Sequence, residues 1–330
     1  MIKRWSGKWE LGMATREAYG HALAELGEEN PKIVVLDADL SKSTYTSLFG
    51  KKYKERFFDV GIAEANMCSI AAGLALGGLI PFASSFASFL LCKGYEQLRI
   101  CCAYMETNVN FVGSHGGISL GEDGPSQQSI EDIALACSLP GFTVAVPCDE
   151  AATKTLVRAA AEHHGPVYIR VSRPRATKIY APGERFSFGR AKTLSDGDDV
   201  AIIANGLMVA LACQAAELAE RKGIHVRVID CHTAKPLDEA TIAIAAEETG
   251  AIVVAEEHLS RPGLGSLVAQ TVVSRCPVPM EFVGLPDTFA ESGTPEELFR
   301  AYGLSVEHIL GALQRAVQRK EKRRTVSSKL

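Results

Sequence analysis

The chain has 330 residues, of which 47% are hydrophobic and 22% charged, with a formal net charge of -4; this builds packed cores in about two domains and excludes a largely disordered protein. Basic residues are dispersed as far as Arg315, so nothing marks a nucleic-acid partner. No apolar run is long enough to span a membrane and Met1-Ile2-Lys3-Arg4-Trp5 lacks an export signal's apolar core, so a soluble, cytoplasmic protein is expected.

Thr15 precedes the helical pattern Arg16–Leu26 and reads as its N-cap, with a stop near Gly27 and Pro31. The run Ile33–Asp37 is a buried strand, and Arg56–Val60 reads as a strand ending. Ile80–Ala83, Asn108–Val112, Thr143–Val146 and Pro166–Val171 follow as strands, with helices after Phe89, Ser129 and Asp149. Such alternation predicts a mostly parallel sheet covered on both faces. Beyond Tyr180-Ala181-Pro182-Gly183 a second, smaller unit begins near residue 190. Its strands are Val200–Ala204, Val226–Asp230, Ile252–Ala255 and Met280–Val283, and its helices cover Val209–Arg221, Asp238–Thr249 and Gly265–Val273. The fold class is therefore α/β with two doubly wound domains, 1–190 and 191–318, followed by a basic tail, 319–330, expected to be solvated and disordered. Nine cysteines without a CxxC pair or a metal-ligand spacing read as free thiols of a reducing compartment.

Two stretches carry chemistry. Asp59-Val60-Gly61-Ile62-Ala63-Glu64 leads from a strand into a helix of small and apolar residues, and so places one carboxylate in the first turn of a helix that packs deep in a domain or at a subunit interface. The helix dipole alone would account for a glutamate there. The second stretch, Gly113 to Gln128, packs five glycines and a proline among polar residues after a strand, the position at which α/β proteins bind ligands.

Five segments in the same order resemble the transketolase family of thiamine diphosphate enzymes: Ala14–Gly20, Asp39–Thr44, the Glu64 stretch, His115–Gln127 and Ser172-Arg173-Pro174. The resemblance runs from about residue 10 to 315, over the family's pyrimidine-binding and C-terminal domains. Gly121-Glu122-Asp123-Gly124-Pro125-Ser126-Gln127 is closest to the animal pattern, with Gln127 where many bacterial and yeast members have histidine. The resemblance implies that Glu64 bonds a nitrogen of the cofactor's aminopyrimidine and shares a proton with it, so that the cofactor can activate itself; a semi-buried carboxyl with a raised pKa suits that task. It makes Phe86 and Phe89 the aromatic wall of the ring, although residues three apart on a helix also commonly fill a core. Lys93-Gly94 departs from the pattern, since Arg-Ala is common before the aromatic at Tyr95. Arg16, Ser43, His115 and Arg173 match positions around a sugar phosphate, to which two guanidiniums would offer forked donors. Asp123 would accept from a substrate hydroxyl, and Gln127 would meet the donor's carbonyl end.

A complete transketolase also holds the diphosphate through Mg²⁺ or Ca²⁺ at a Gly-Asp-Gly motif with a later Asn. This sequence has none; Asp196-Gly197-Asp198-Asp199 lies in a linker without a strand-turn-helix setting. The resemblance thus implies the C-terminal subunit of a split transketolase, moving a two-carbon ketol unit from a ketose phosphate to an aldose. It would share its cofactor with an N-terminal subunit that holds the metal, in a heterotetramer of two plus two. Alternatives are the beta subunit of a 2-oxo acid dehydrogenase, a deoxyxylulose-phosphate synthase relative, or a non-catalytic scaffold.

Overall fold

The computed structural model describes residues 9–327, with side chains to Arg323. The apolar runs of the first half lie in a seven-stranded sheet ordered Thr233–Lys235, Thr143–Ala145, Val167–Arg170, Asn110–Ser114, Ile80–Phe86, Ile33–Asp37, Phe57–Asp59. All of its neighbours are parallel except the pair made by Thr233–Lys235. Two apolar clusters cover its faces, one around Tyr19, Phe49 and Phe82, the other around Met67, Leu90 and Phe111. Because six of the strands run the same way, Asp37, Asp59, Phe86, Ser114 and Arg170 all end on one edge, and the loops that follow them gather there. A two-stranded ribbon, Leu11–Ala14 against Arg175–Thr177, brings the start of the first helix, Thr15–Glu29, to the same edge.

The second sheet is ordered Met280–Leu285, Ile252–Leu259, Val200–Ala204, Val226–Asp230, Lys192–Ser195, with only the last pair antiparallel. The two sheets together give the two-domain α/β fold expected. They are stitched by a crossing strand: Thr233–Lys235 leaves the second half of the chain and pairs with Thr143–Ala145 of the first. Lys235 Nζ then donates to the carbonyls of Cys137 (2.9 Å) and Leu139 (2.6 Å), closing the carboxyl end of helix Asp132–Ser138.

Several local expectations are corrected. Thr15 is the first helical residue rather than the N-cap, which is Ala14, and its hydroxyl accepts from the Ser172 backbone N–H at 2.7 Å. The central strand is Asn110–Ser114, displaced along the chain from 108–112. Phe86 and Phe89 do not share a helix: Phe86 ends strand Ile80–Phe86, and Phe89 sits in the first turn of Ala87–Gln97. Of the two places expected for helix Glu64–Leu76, deep in a domain or at a subunit interface, the chain by itself does not supply the first, since Asn66, Ser69, Ile70, Gly73 and Leu76 are exposed on one face. The basic tail is not disordered where it is described, because helix Val306–Ser327 continues through it. Arg319 donates to the Met280 carbonyl (2.6 Å), Lys320 to that of Asp199 (2.8 Å) and Arg323 to that of Pro277 (2.8 Å). Backbone acceptors at the sheet's edge hold those cations, while residues 328–330 lie outside the described part.

Candidate active site

Glu64 opens its helix with a side chain only 2% exposed. A carboxylate taken out of water needs partners, and here Ser85 Oγ donates to Oε1 at 3.3 Å while Lys93 Nζ lies 3.3 Å from both oxygens. Phe86 and Phe89 stack at 5.5 Å between centroids, and Phe86 continues to the His115 ring at 3.9 Å. The wall expected beside Glu64 is thus built from a strand end and the helix that follows it.

At the far end of that wall, Arg16, Ser43, His115 and Arg173 lie together. Arg16 Nη1 donates to the Ser43 carbonyl at 2.8 Å and to His115 Nε2 at 3.2 Å, and its Nε donates to the Arg173 carbonyl at 3.3 Å. Ser43 therefore enters through its backbone. Arg173 Nη1 reaches the Leu120 carbonyl (2.5 Å) and the Glu122 carboxylate (2.7 Å). Among the described residues no partner meets Arg16 Nη2 or Arg173 Nη2, so both guanidiniums keep a donor for an anion. Asp123 and Gln127 are not drawn into this cluster. Asp123 is exposed, and Gln127 is half-buried with its carbonyl accepting from Ser88 Oγ at 3.0 Å.

The protonation of His115 follows from its neighbours. A guanidinium can only donate, so Nε2 is the acceptor and Nδ1 carries the hydrogen that it gives to Ser114 Oγ at 2.7 Å. Burial, reinforced by Arg16 and Arg173, pushes the imidazole down to about 3. The unfolded chain therefore binds a proton that the folded chain refuses, and the stability present above pH 6.5 is lost progressively as pH falls from there toward about 3. We expect His115→Gln to melt with a flatter acid limb than the wild type, the two profiles diverging by about 2 kcal/mol between pH 6.5 and about pH 5. Chemical denaturation at a series of pH values checks it, and parallel profiles would mean that His115 is not held neutral.

Residues without any sequence signal hold these groups in place. Asp37 ends its strand and accepts from Thr44 Oγ1 (2.7 Å), Thr46 Oγ1 (2.8 Å) and the Leu40 N–H (2.6 Å), shaping the loop that offers the Ser43 carbonyl. Burial raises Asp37 to about 6. The glycine-rich loop is held from behind by the second domain: Glu257 Oε1 accepts the Ser119 N–H at 2.6 Å, and Arg170 Nη2 donates to the Glu257 carbonyl at 2.7 Å. Gly116 and Gly117 are required by that approach, since an added Cβ would lie 2.0 Å from Arg170 Nε and 2.1 Å from Glu257 Oε1. Among the described residues, the one group of three that could hold a metal, Asp198, Asp199 and His225, is exposed or half-buried, as surface charges commonly are.

A buried carboxylate near a stacked aromatic pair lies at the carboxyl edge of a parallel sheet, where α/β domains bind ligands. Residues 12–178 match the family described as Transketolase, pyrimidine binding domain, and residues 189–309 that described as Transketolase, C-terminal domain. The chain belongs to the transketolase family, which depends on thiamine diphosphate. It is 42% identical over 297 residues to a putative transketolase C-terminal section of Methanocaldococcus jannaschii, covering 89% of this chain and 93% of that protein. It is 41% identical to mouse transketolase-like protein 2 over 94% of this chain, but spans only 50% of that longer relative. Among solved structures, one described as a split gene transketolase, inactive beta4 tetramer, is 48% identical, with a TM-score of 0.88 over 94% of this chain and 100% of that one.

Proposed function

We propose that this chain is the C-terminal subunit of a two-chain, thiamine diphosphate-dependent transketolase. Its reaction is transfer of a two-carbon ketol unit from a ketose phosphate to an aldose acceptor, in the cytoplasm. The observation that carries the reading is the arrangement of the site: Lys93 joins Glu64 to the Phe89 ring, Phe89 stacks on Phe86, Phe86 meets His115, and His115 meets Arg16. Such a row puts a carboxylate suited to a ring at one end and anion donors at the other, as a cofactor and a phosphorylated sugar would need. When bound, thiamine diphosphate supplies the nucleophile that carries the ketol unit. Glu64 would hold the proton at the aminopyrimidine, Phe86 and Phe89 would flank the ring, and Arg16, His115 and Arg173 would fix the sugar phosphate. Asp123 and Gln127 remain proposed contacts to sugar hydroxyl and carbonyl groups, reached from their present exposed and half-buried places.

The division near residue 190 separates this half-site from the C-terminal domain, and the diphosphate with its Mg²⁺ or Ca²⁺ is assigned to an N-terminal partner subunit. The uncovered face of helix Glu64–Leu76, with Leu76 64% exposed, and the neighbouring Ile62, 77% exposed, supports self-association beside that partner in a two-plus-two heterotetramer. That a relative's homotetramer is described as inactive agrees with a need for the second subunit. Calorimetry tests the assignment. The isolated chain should bind thiamine diphosphate weakly or not at all, because only the pyrimidine half-pocket is present, and tight magnesium-dependent binding should return with the partner. Submicromolar binding by the isolated chain would overturn it.

A further inference from the structure

Lys93 meets both of the groups that would receive the aminopyrimidine. Its Nζ lies 3.3 Å from each Glu64 oxygen and 4.3 Å from the centroid of the Phe89 ring, over its face. A heterocycle bound here would meet the same two groups, stacking on Phe89 and sharing a proton with Glu64. We propose that Lys93 is an internal stand-in for the cofactor ring, competing with it for the pyrimidine position and withdrawing when the ring enters. This rests on the thiamine diphosphate reading above and adds to it a residue with which the cofactor competes.

The energetics favour such a device. Glu64 is nearly sealed from water and a bare carboxylate there would be costly, so the ammonium compensates it and keeps it aimed into the pocket. The Lys93 side chain is 47% exposed, against 2% for Glu64, so it can swing to solvent without disturbing the core. Its position depends on Gly94, where an added Cβ would come within 2.9 Å of Cys68 Sγ; the missing side chain lets helix Ala87–Gln97 lie close against Glu64–Leu76. An ammonium on an aromatic face is itself attractive, so the plug has two favourable contacts to lose when the ring arrives. Cofactor affinity is lowered by their combined strength.

The test is calorimetric titration of thiamine diphosphate, with magnesium, into the chain reconstituted with its N-terminal partner. Lys93→Met keeps the stem and removes the charge, and should bind cofactor about tenfold more tightly, corresponding to about 1.4 kcal/mol. Lys93→Arg keeps the cation and should retain the wild-type affinity. If the wild-type complex binds and Lys93→Met binds equally or more weakly, Lys93 is not a competitor and the plug is overturned while the functional reading stands. A wild-type complex that takes up no cofactor overturns the functional reading and the plug with it.

Discussion

Glu64→Gln should leave the subunit folded, assembled with its partner and able to take up cofactor, while turnover falls by about 10²-fold or more, the range for losing a positioned proton-transfer group. Glutamine has the same outline, and its amide oxygen can still accept from Ser85 Oγ, which lies 3.3 Å from the present carboxylate. It cannot hold an acidic proton at a ring nitrogen. It also gives Lys93 no anion to pair with, yet that lysine is half in solvent and can be hydrated, so little stability is at stake. Steady-state turnover beside a cofactor titration separates the two effects. Turnover close to wild type would remove Glu64 from proton handling, and lost cofactor binding with intact assembly would make it a ring anchor alone.

What the sequence made legible divides along physical lines. Strands Val200–Ala204 and Val226–Asp230 fall where the apolar runs put them, because strands buried on both faces write their burial directly into composition. The short strands Leu11–Ala14 and Thr233–Lys235 left no such trace. They are three or four residues long and owe their pairing to partners far along the chain. Glu64, Phe86 and Phe89 could be placed through the resemblance because they sit at ends of elements whose pattern is strong, although Phe86 belongs to a strand and not to a helix. Lys93, Asp37 and Glu257 carry no motif. Each acts through contacts that only the folded chain creates, and Glu257 reaches the glycine-rich loop across 138 residues of sequence. The hints were indirect: Lys93-Gly94 departs from the family pattern, and Gly116-Gly117 marks a backbone that something must approach closely.

The arginines decide the substrate class, and the structure shows that they are not equivalent. Arg173 pairs with Glu122, which is 61% exposed, and donates to the Leu120 carbonyl, so Arg173→Ala should cost the fold no more than about one hydrogen bond. Arg16 is tied to the carbonyls of Ser43 and Arg173 and to His115, so Arg16→Ala also loosens the loops around it and must be read beside a melting curve. If both clamp a phosphate, each substitution should raise KM for a phosphorylated acceptor by the worth of a charge-assisted hydrogen bond, about 1.5 to 3 kcal/mol or about 10- to 150-fold. Free glycolaldehyde, which has no phosphate, should be affected far less. A 2-oxo acid dehydrogenase subunit offers no such contrast, because its small acid substrate gives these guanidiniums no phosphate to hold. Equal losses with both acceptors, and above all equal losses for Arg173→Ala with an unchanged melting temperature, would detach the pair from the sugar phosphate and leave Glu64 with its aromatic wall as the part of the assignment still standing.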